Sequence, residues 1–167
     1  IAQFYYHADY LKEAAATLEA YLIMKPKDHR ALFFCGYIAM TRKDHDTALD
    51  WFIRSYEADP RTLDALNQAV DMLLDQNRHG DAVQLVRTQT RNRSDFPAIE
   101  LRARVYETAG WCADAAHWYR RAAQLSPWEA DQKNYQKKSD DLAAGCKPPH
   151  DHPADTDFYP KETDSGI

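Results

Sequence analysis

The sequence contains no stretch approaching the roughly 18 consecutive apolar residues that a membrane span requires, so no transmembrane helix is expected in its 167 residues. Cysteine is scarce. Cys35, Cys112 and Cys146 are odd in number, widely spaced and set in no metal-finger pattern, which argues against a disulfide framework and for small buried thiols in a reduced compartment. Positive charge is in deficit: 21 Lys and Arg face 26 Asp and Glu, for a net charge of −5. No global field would draw in a polyanion, so neither nucleic acid nor an acidic membrane is an expected partner. No nucleophile or oxyanion-hole signature stands out, so no enzyme is expected. A charged-then-apolar leader is also missing, and cytoplasmic residence is the expectation.

What the sequence does have is a period. Pro26, Pro60 and Pro127 stand 34 and 67 residues apart, and small and bulky residues recur at fixed offsets before each. An internal repeat of about 34 residues is the period of helix-turn-helix solenoids. With Pro60 at position 32 of such a unit, one repeat runs 29–62. Its first helix carries Leu32, Cys35, Gly36 and Ala39, and its second carries Ala48, Phe52 and Ser55.

One period earlier, Ala2, Tyr5, Ala14, Leu18, Tyr21 and Pro26 make a truncated first repeat over 1–28. The register puts Ile1 partway through a helix, so we expect sequence to precede it. One period later, Leu66, Ala69, Val70, Leu73, Ala82 and Val86 make a degenerate third repeat over 63–95, with Ser94 in the place of the proline. Ile99, Ala103, Tyr106, Ala115, Tyr119, Ala122 and Pro127 restore the register over 96–129. Small residues at Gly36 and Ala48, or Ala103 and Ala115, would let the two helices of a unit approach, while Phe52, Val86 and Tyr119 fill the space beside the next unit. Turn formers at Lys43 to Asp46, Asn77 to Asp81 and Gly110 fall between helices. After Pro127, Trp128, Tyr135 and Leu142 recur every seven residues among charged ones, as in a capping helix over 128–144 with a polar outer face. Residues 145–167 form a Pro- and Asp-rich tail, expected to be disordered or draped on the array.

The 29–62 unit, with Leu32, the Cys35-Gly36 pair and Ala39, then Ala48, Phe52, Ser55 and Pro60, resembles the tetratricopeptide repeat, whose pattern is a bulky residue, a Leu-Gly pair and a Tyr, then Ala, Phe, Ala and Pro. The resemblance covers residues 1 to about 129. It implies an all-α, right-handed superhelical solenoid whose first helices line a concave binding face. Carrying over those offsets gives Gln3, Tyr6 and His7, then Arg30, Phe33, Tyr37 and Met40, then Asp64, Asn67, Asp71 and Asp75, then Glu100, Arg104 and Glu107. The groove would be aromatic near its N-terminal end and acidic in the middle, although any one of Tyr6, Phe33 and Tyr37 has packing between helices as its alternative reading. Relatives that bind acidic chaperone tails use a Lys and Asn clamp. Phe33 with Tyr37, and Asn67 with Asp71, stand at the matching offsets, so that clamp is absent and a terminal carboxylate would be repelled.

Other clusters read more simply. Asp44, His45 and Asp46 resemble an acid-base group but lie in a turn. Arg87, Arg91 and Arg93 sit where cations favour a helix C-terminus. Cys146, His150, His152 and Asp155 are metal-capable but fit no zinc spacing, so neither metal nor cofactor is expected. The expected function is therefore a non-enzymatic scaffold or adaptor. Phe33, Tyr37 and Met40 would receive apolar anchors of a protein or peptide partner, and Asp71, Asp75, Glu100 and Glu107 would meet its basic residues. Two alternatives share the architecture: a chaperone similar to those of bacterial type III secretion translocators, and a structural subunit of a larger assembly, pairing through the open N-terminal end with another copy or with a larger complex.

Overall fold

The computed structural model describes residues 11–145, and these form eight α-helices with no strand. In chain order they are α1 (Leu11–Met24), α2 (His29–Thr41), α3 (His45–Ala58), α4 (Asp64–Asp75), α5 (His79–Gln89), α6 (Phe96–Thr108), α7 (Cys112–Leu125) and α8 (Glu129–Gly145). Each packs on its neighbour in sequence, and α4 also meets α6 directly. The result is a helical repeat solenoid, with α2, α4 and α6 as the first helices of successive pairs. Tyr6 and the tail residues Cys146, His150 and His152 lie outside the described residues.

One turn geometry builds each pair. After α2, α4 and α6 the chain passes through a residue of positive φ, Lys43 at 61°, Asn77 at 58° and Gly110 at 78°. Each time that residue's N–H donates three residues back and the next N–H donates five back. The bonds are Lys43 to Met40 and Asp44 to Ala39, Asn77 to Leu74 and Arg78 to Leu73, and Gly110 to Glu107 and Trp111 to Tyr106, all 2.9–3.0 Å. This left-handed cap satisfies the last carbonyls of one helix while reversing the chain into the next. Only Gly110 adopts it without a Cβ penalty.

Burial repeats with the turns. Leu32, Leu66 and Ile99 are buried at equivalent points of the first helices, as are Ala48, Ala82 and Ala115 on the second. Gly36 faces the ring of Phe52: a Cβ on Gly36 would stand 2.8 Å from its Cδ1 and Cε1. Val70 with Val86, and Ala103 with Tyr119, occupy the same two positions in the next pairs, trading volume between helices. Gly36→Ala should therefore destabilise the protein despite its better helix propensity. Gly80→Ala in α5, where nothing lies within 4 Å, should stabilise it by about 1 kcal/mol. Chemical denaturation of both variants reads the difference in sign.

Hydrogen bonds tie helices and loops both within pairs and across the stack. The Ser55 hydroxyl donates to the His29 carbonyl at 2.7 Å and the Tyr56 hydroxyl to the Gln89 carbonyl at 3.1 Å. Arg93 donates to both Asp95 oxygens and to the Pro60 carbonyl. At the C-terminal end the buried Ser139 hydroxyl anchors α8 to α7 through the Ala116 carbonyl at 2.8 Å. Cys35 is the buried thiol that its context suggests, pushed up to about 11 by burial. Cys112, in contrast, is disulfide-bonded, which corrects the expectation of thiols throughout; an odd count and wide spacing do not reveal which sulfurs meet in space.

Candidate partner-binding groove

The first helices bring their N-terminal halves to one face, where two adjoining clefts open. The first, of about 400 Å³, lies between α2 and α4 and is lined by Arg30, Phe33, Tyr56, Asp59, Asp64 and Ala65 among others. The second, of about 440 Å³, lies between α4 and α6 and is lined by Arg61, Asn67, Arg93, Pro97, Glu100 and Arg104 among others. Thr62 and Asp64 belong to both, so the clefts lie side by side in one trough-like face. Arg30 and Phe33 from the sequence-derived set line the first cleft, and Asn67, Glu100 and Arg104 line the second. Tyr37, Met40, Asp71, Asp75 and Glu107 line neither. Phe33 has both roles the sequence left open: its ring packs against Phe52 at 5.4 Å between centroids while it lines the cleft. Met40 is partly buried against the main core.

The acidic middle is not an open row of carboxylates. Arg104 Nη1 lies 2.6 Å from Asp71 Oδ1, and Arg104 Nη2 donates to Asn67 at 3.4 Å. Tyr135 of α8 donates its hydroxyl to Glu100 at 2.8 Å. Tyr119 of α7 donates to Glu107, and Lys138 of α8 reaches the same carboxylate at 3.5 Å. The rings of Tyr119 and Tyr135 stack at 5.8 Å. Burial, reinforced by these carboxylates, holds both phenols well above their usual range, so they remain donors at any physiological pH. Asp71, Glu100 and Glu107 thus have partners within the chain, where the sequence reading assigned them to a ligand. Arg104, from within the expected lining, holds Asp71, whereas Tyr119, Tyr135 and Lys138, which engage Glu100 and Glu107, were missed because they come from helices outside that lining.

Charge with no internal partner remains at Arg30, Asp64 and Asp75, whose side chains make no hydrogen bond or ion pair among the described residues. Asp59, in the first cleft, is taken. Arg61 holds it through hydrogen bonds of 2.7 and 2.8 Å, which depress its carboxyl below the usual range, and His29 lies 3.8 Å away. Asp28 is also committed: it accepts from the Ala31 and Arg30 amides as the cap of α2, and these bonds with that from Tyr21 lower its carboxyl.

The remaining clusters serve the fold. Asp44 caps α3 by accepting from the Thr47 amide at 3.3 Å, and Asp46 lies 3.7 Å from Arg78. Arg93 is committed to Asp95 and Pro60. No group of three metal-capable side chains occurs among the described residues, nor is any helix there long and apolar enough to cross a membrane.

Residues 4–62 match the family model for the tetratricopeptide repeat. No curated protein matches the chain. Among solved structures, the chain is similar to a MamA double mutant designated RS-1 ArsTM, with a TM-score of 0.52 at 15% identity, over 86% of this chain and 90% of that one. It is also similar to MamA from residue 41 to its end, from Desulfovibrio magneticus RS-1, with a TM-score of 0.51 at 16% identity, over 80% and 82% respectively. Likeness at that identity concerns the fold, and it extends the helix-pair architecture well beyond the matched residues. With its matched N-terminal segment and the same cap geometry repeated after α2, α4 and α6, the chain is similar to tetratricopeptide-repeat proteins.

Proposed function

We propose that the protein is a non-catalytic scaffold that holds a segment of a protein partner along the trough formed by α2, α4 and α6. The observation that carries this reading is that two clefts adjoin at Thr62 and Asp64, side by side along the first helices. Recognition by such a surface couples a few apolar anchors to a charged rim. Phe33 supplies the aromatic floor. Because Asp71, Glu100 and Glu107 are engaged within the chain, the partner's basic residues meet Asp64, which lines both clefts.

Affinity capture from native extract tests the proposal. Asn67→Trp should plug the second cleft and lose the partner, while Gln84→Trp, exposed on α5, should keep it. Equal capture by both variants would move the contact elsewhere. A second reading, assembly through the N-terminal end of the array, has one observation in its favour: Ile23 and Met24 at the end of α1 are 84% and 76% exposed. Sedimentation that depends on protein concentration, and loses that dependence in Ile23→Ser with Met24→Ser, would support it.

A further inference from the structure

We infer that the cleft between α2 and α4 selects an extended peptide segment in which one apolar side chain is flanked by an acidic residue on one side and a basic residue on the other. This rests on the groove reading above and gives its partner a chemistry. The floor of the cleft is apolar, with Phe33, Tyr56 and Ala65, and its rim carries Arg30 from α2 and Asp64 from α4. Both rim residues are exposed. They are of opposite sign, and neither has a partner among the described residues.

Arg30 is the more telling of the two. It occupies the first turn of α2, where the positive end of the helix dipole disfavours a cation. The cap there is already supplied by Asp28, so nothing in the helix accounts for the arginine. Asp64 stands in the first turn of α4, where an anion suits the dipole, and it has charge to spare for a ligand as well.

Most other ionic groups of the trough are paired: Asp59 with Arg61, Arg93 with Asp95 and Arg104 with Asp71. Glu100, in the second cleft, accepts from the neutral Tyr135 hydroxyl and keeps its negative charge. Within the first cleft, electrostatic discrimination falls to Arg30 and Asp64. Charges arranged this way set register and reject wrongly charged partners. A volume of about 400 Å³ that adjoins the second cleft suits a chain segment lying across it, anchored by one apolar side chain.

The test pans a phage-displayed random peptide library against the full chain and measures the enriched peptides, made synthetically, by fluorescence anisotropy. Enriched peptides should place an acid and a base on opposite sides of an apolar residue. Arg30→Glu and Asp64→Lys should each lower their affinity about tenfold. The double variant, which leaves net charge unchanged, should prefer peptides with acid and base exchanged. Circular dichroism melts confirm that the variants fold. A library yielding no peptide whose affinity depends on either charge overturns the inference. If such charge-insensitive peptides still lose binding to Asn67→Trp, the groove reading stands without this chemistry; if they ignore Asn67→Trp as well, both fail.

Discussion

Phe52→Ala is expected to lower stability by about 4 kcal/mol. Phe52 is fully buried, its ring fills the space left by Gly36 and touches that of Phe33, and it belongs to the core that runs from α2 through α7. Replacing it with alanine leaves glycine facing alanine between α2 and α3, a void that two backbones already in close approach cannot collapse to fill. Because a solenoid is stabilised by nearest-neighbour contacts, the loss should be local before it is global. Hydrogen exchange should accelerate first in α1 to α3, while α6 to α8 keep their protection. Uniform acceleration along the whole array would mean that the repeats unfold as one unit and that the neighbour-by-neighbour account is wrong.

Arg102→Ala is expected to cost about 3 kcal/mol, a large effect for a charged residue. Arg102 is only 4% exposed. Its Nε donates to the Thr90 hydroxyl at 2.8 Å, and its Nη2 donates to the Thr90 and Arg93 carbonyls. The guanidinium lies 4.7 Å from the Trp118 ring centre. Burial lowers its pKa, yet the group stays charged at neutral pH because an arginine starts so high. It serves as the clasp between the end of α5 and α6, satisfying carbonyls that the turn leaves open. Alanine would strand those acceptors. Lysine should not rescue, because a single ammonium cannot reproduce the planar fork. Arg104, two residues on, gives the contrast: its pair with Asp71 is half exposed on both sides, so Arg104→Ala should cost less than about 1 kcal/mol. Urea denaturation of the three variants measures the ordering, and equal costs for Arg102→Ala and Arg104→Ala would contradict it.

Architecture was legible in the sequence because one arrangement is written several times. The offsets linking Leu32, Leu66 and Ile99, or Ala48, Ala82 and Ala115, survive even where the third unit lacks its proline, and packing against neighbours enforces them. The turns were legible as turns, although Lys43 and Asn77 do not announce that they adopt the same left-handed conformation as Gly110. Groove electrostatics were much less legible. Reading Asp71, Glu100 and Glu107 as ligand contacts assumed that charges on a lining helix face outward unpaired. Their partners lie on other helices, at Arg104, Tyr135, Tyr119 and Lys138, where the period of a single helix carries no information. Arg102 was invisible for a related reason: its acceptors are backbone carbonyls of a turn, and no pattern of side chains marks them.

The central claim is that a partner lies along α2, α4 and α6, and photo-crosslinking tests it most directly. A photoreactive residue placed at Asn67 in the trough, at Gln84 on α5 or at Arg121 on α7 would be irradiated in native extract with the full chain. The account predicts a crosslinked protein from position 67 that is absent from positions 84 and 121. The same adduct from position 84 or 121, with none from 67, would contradict it.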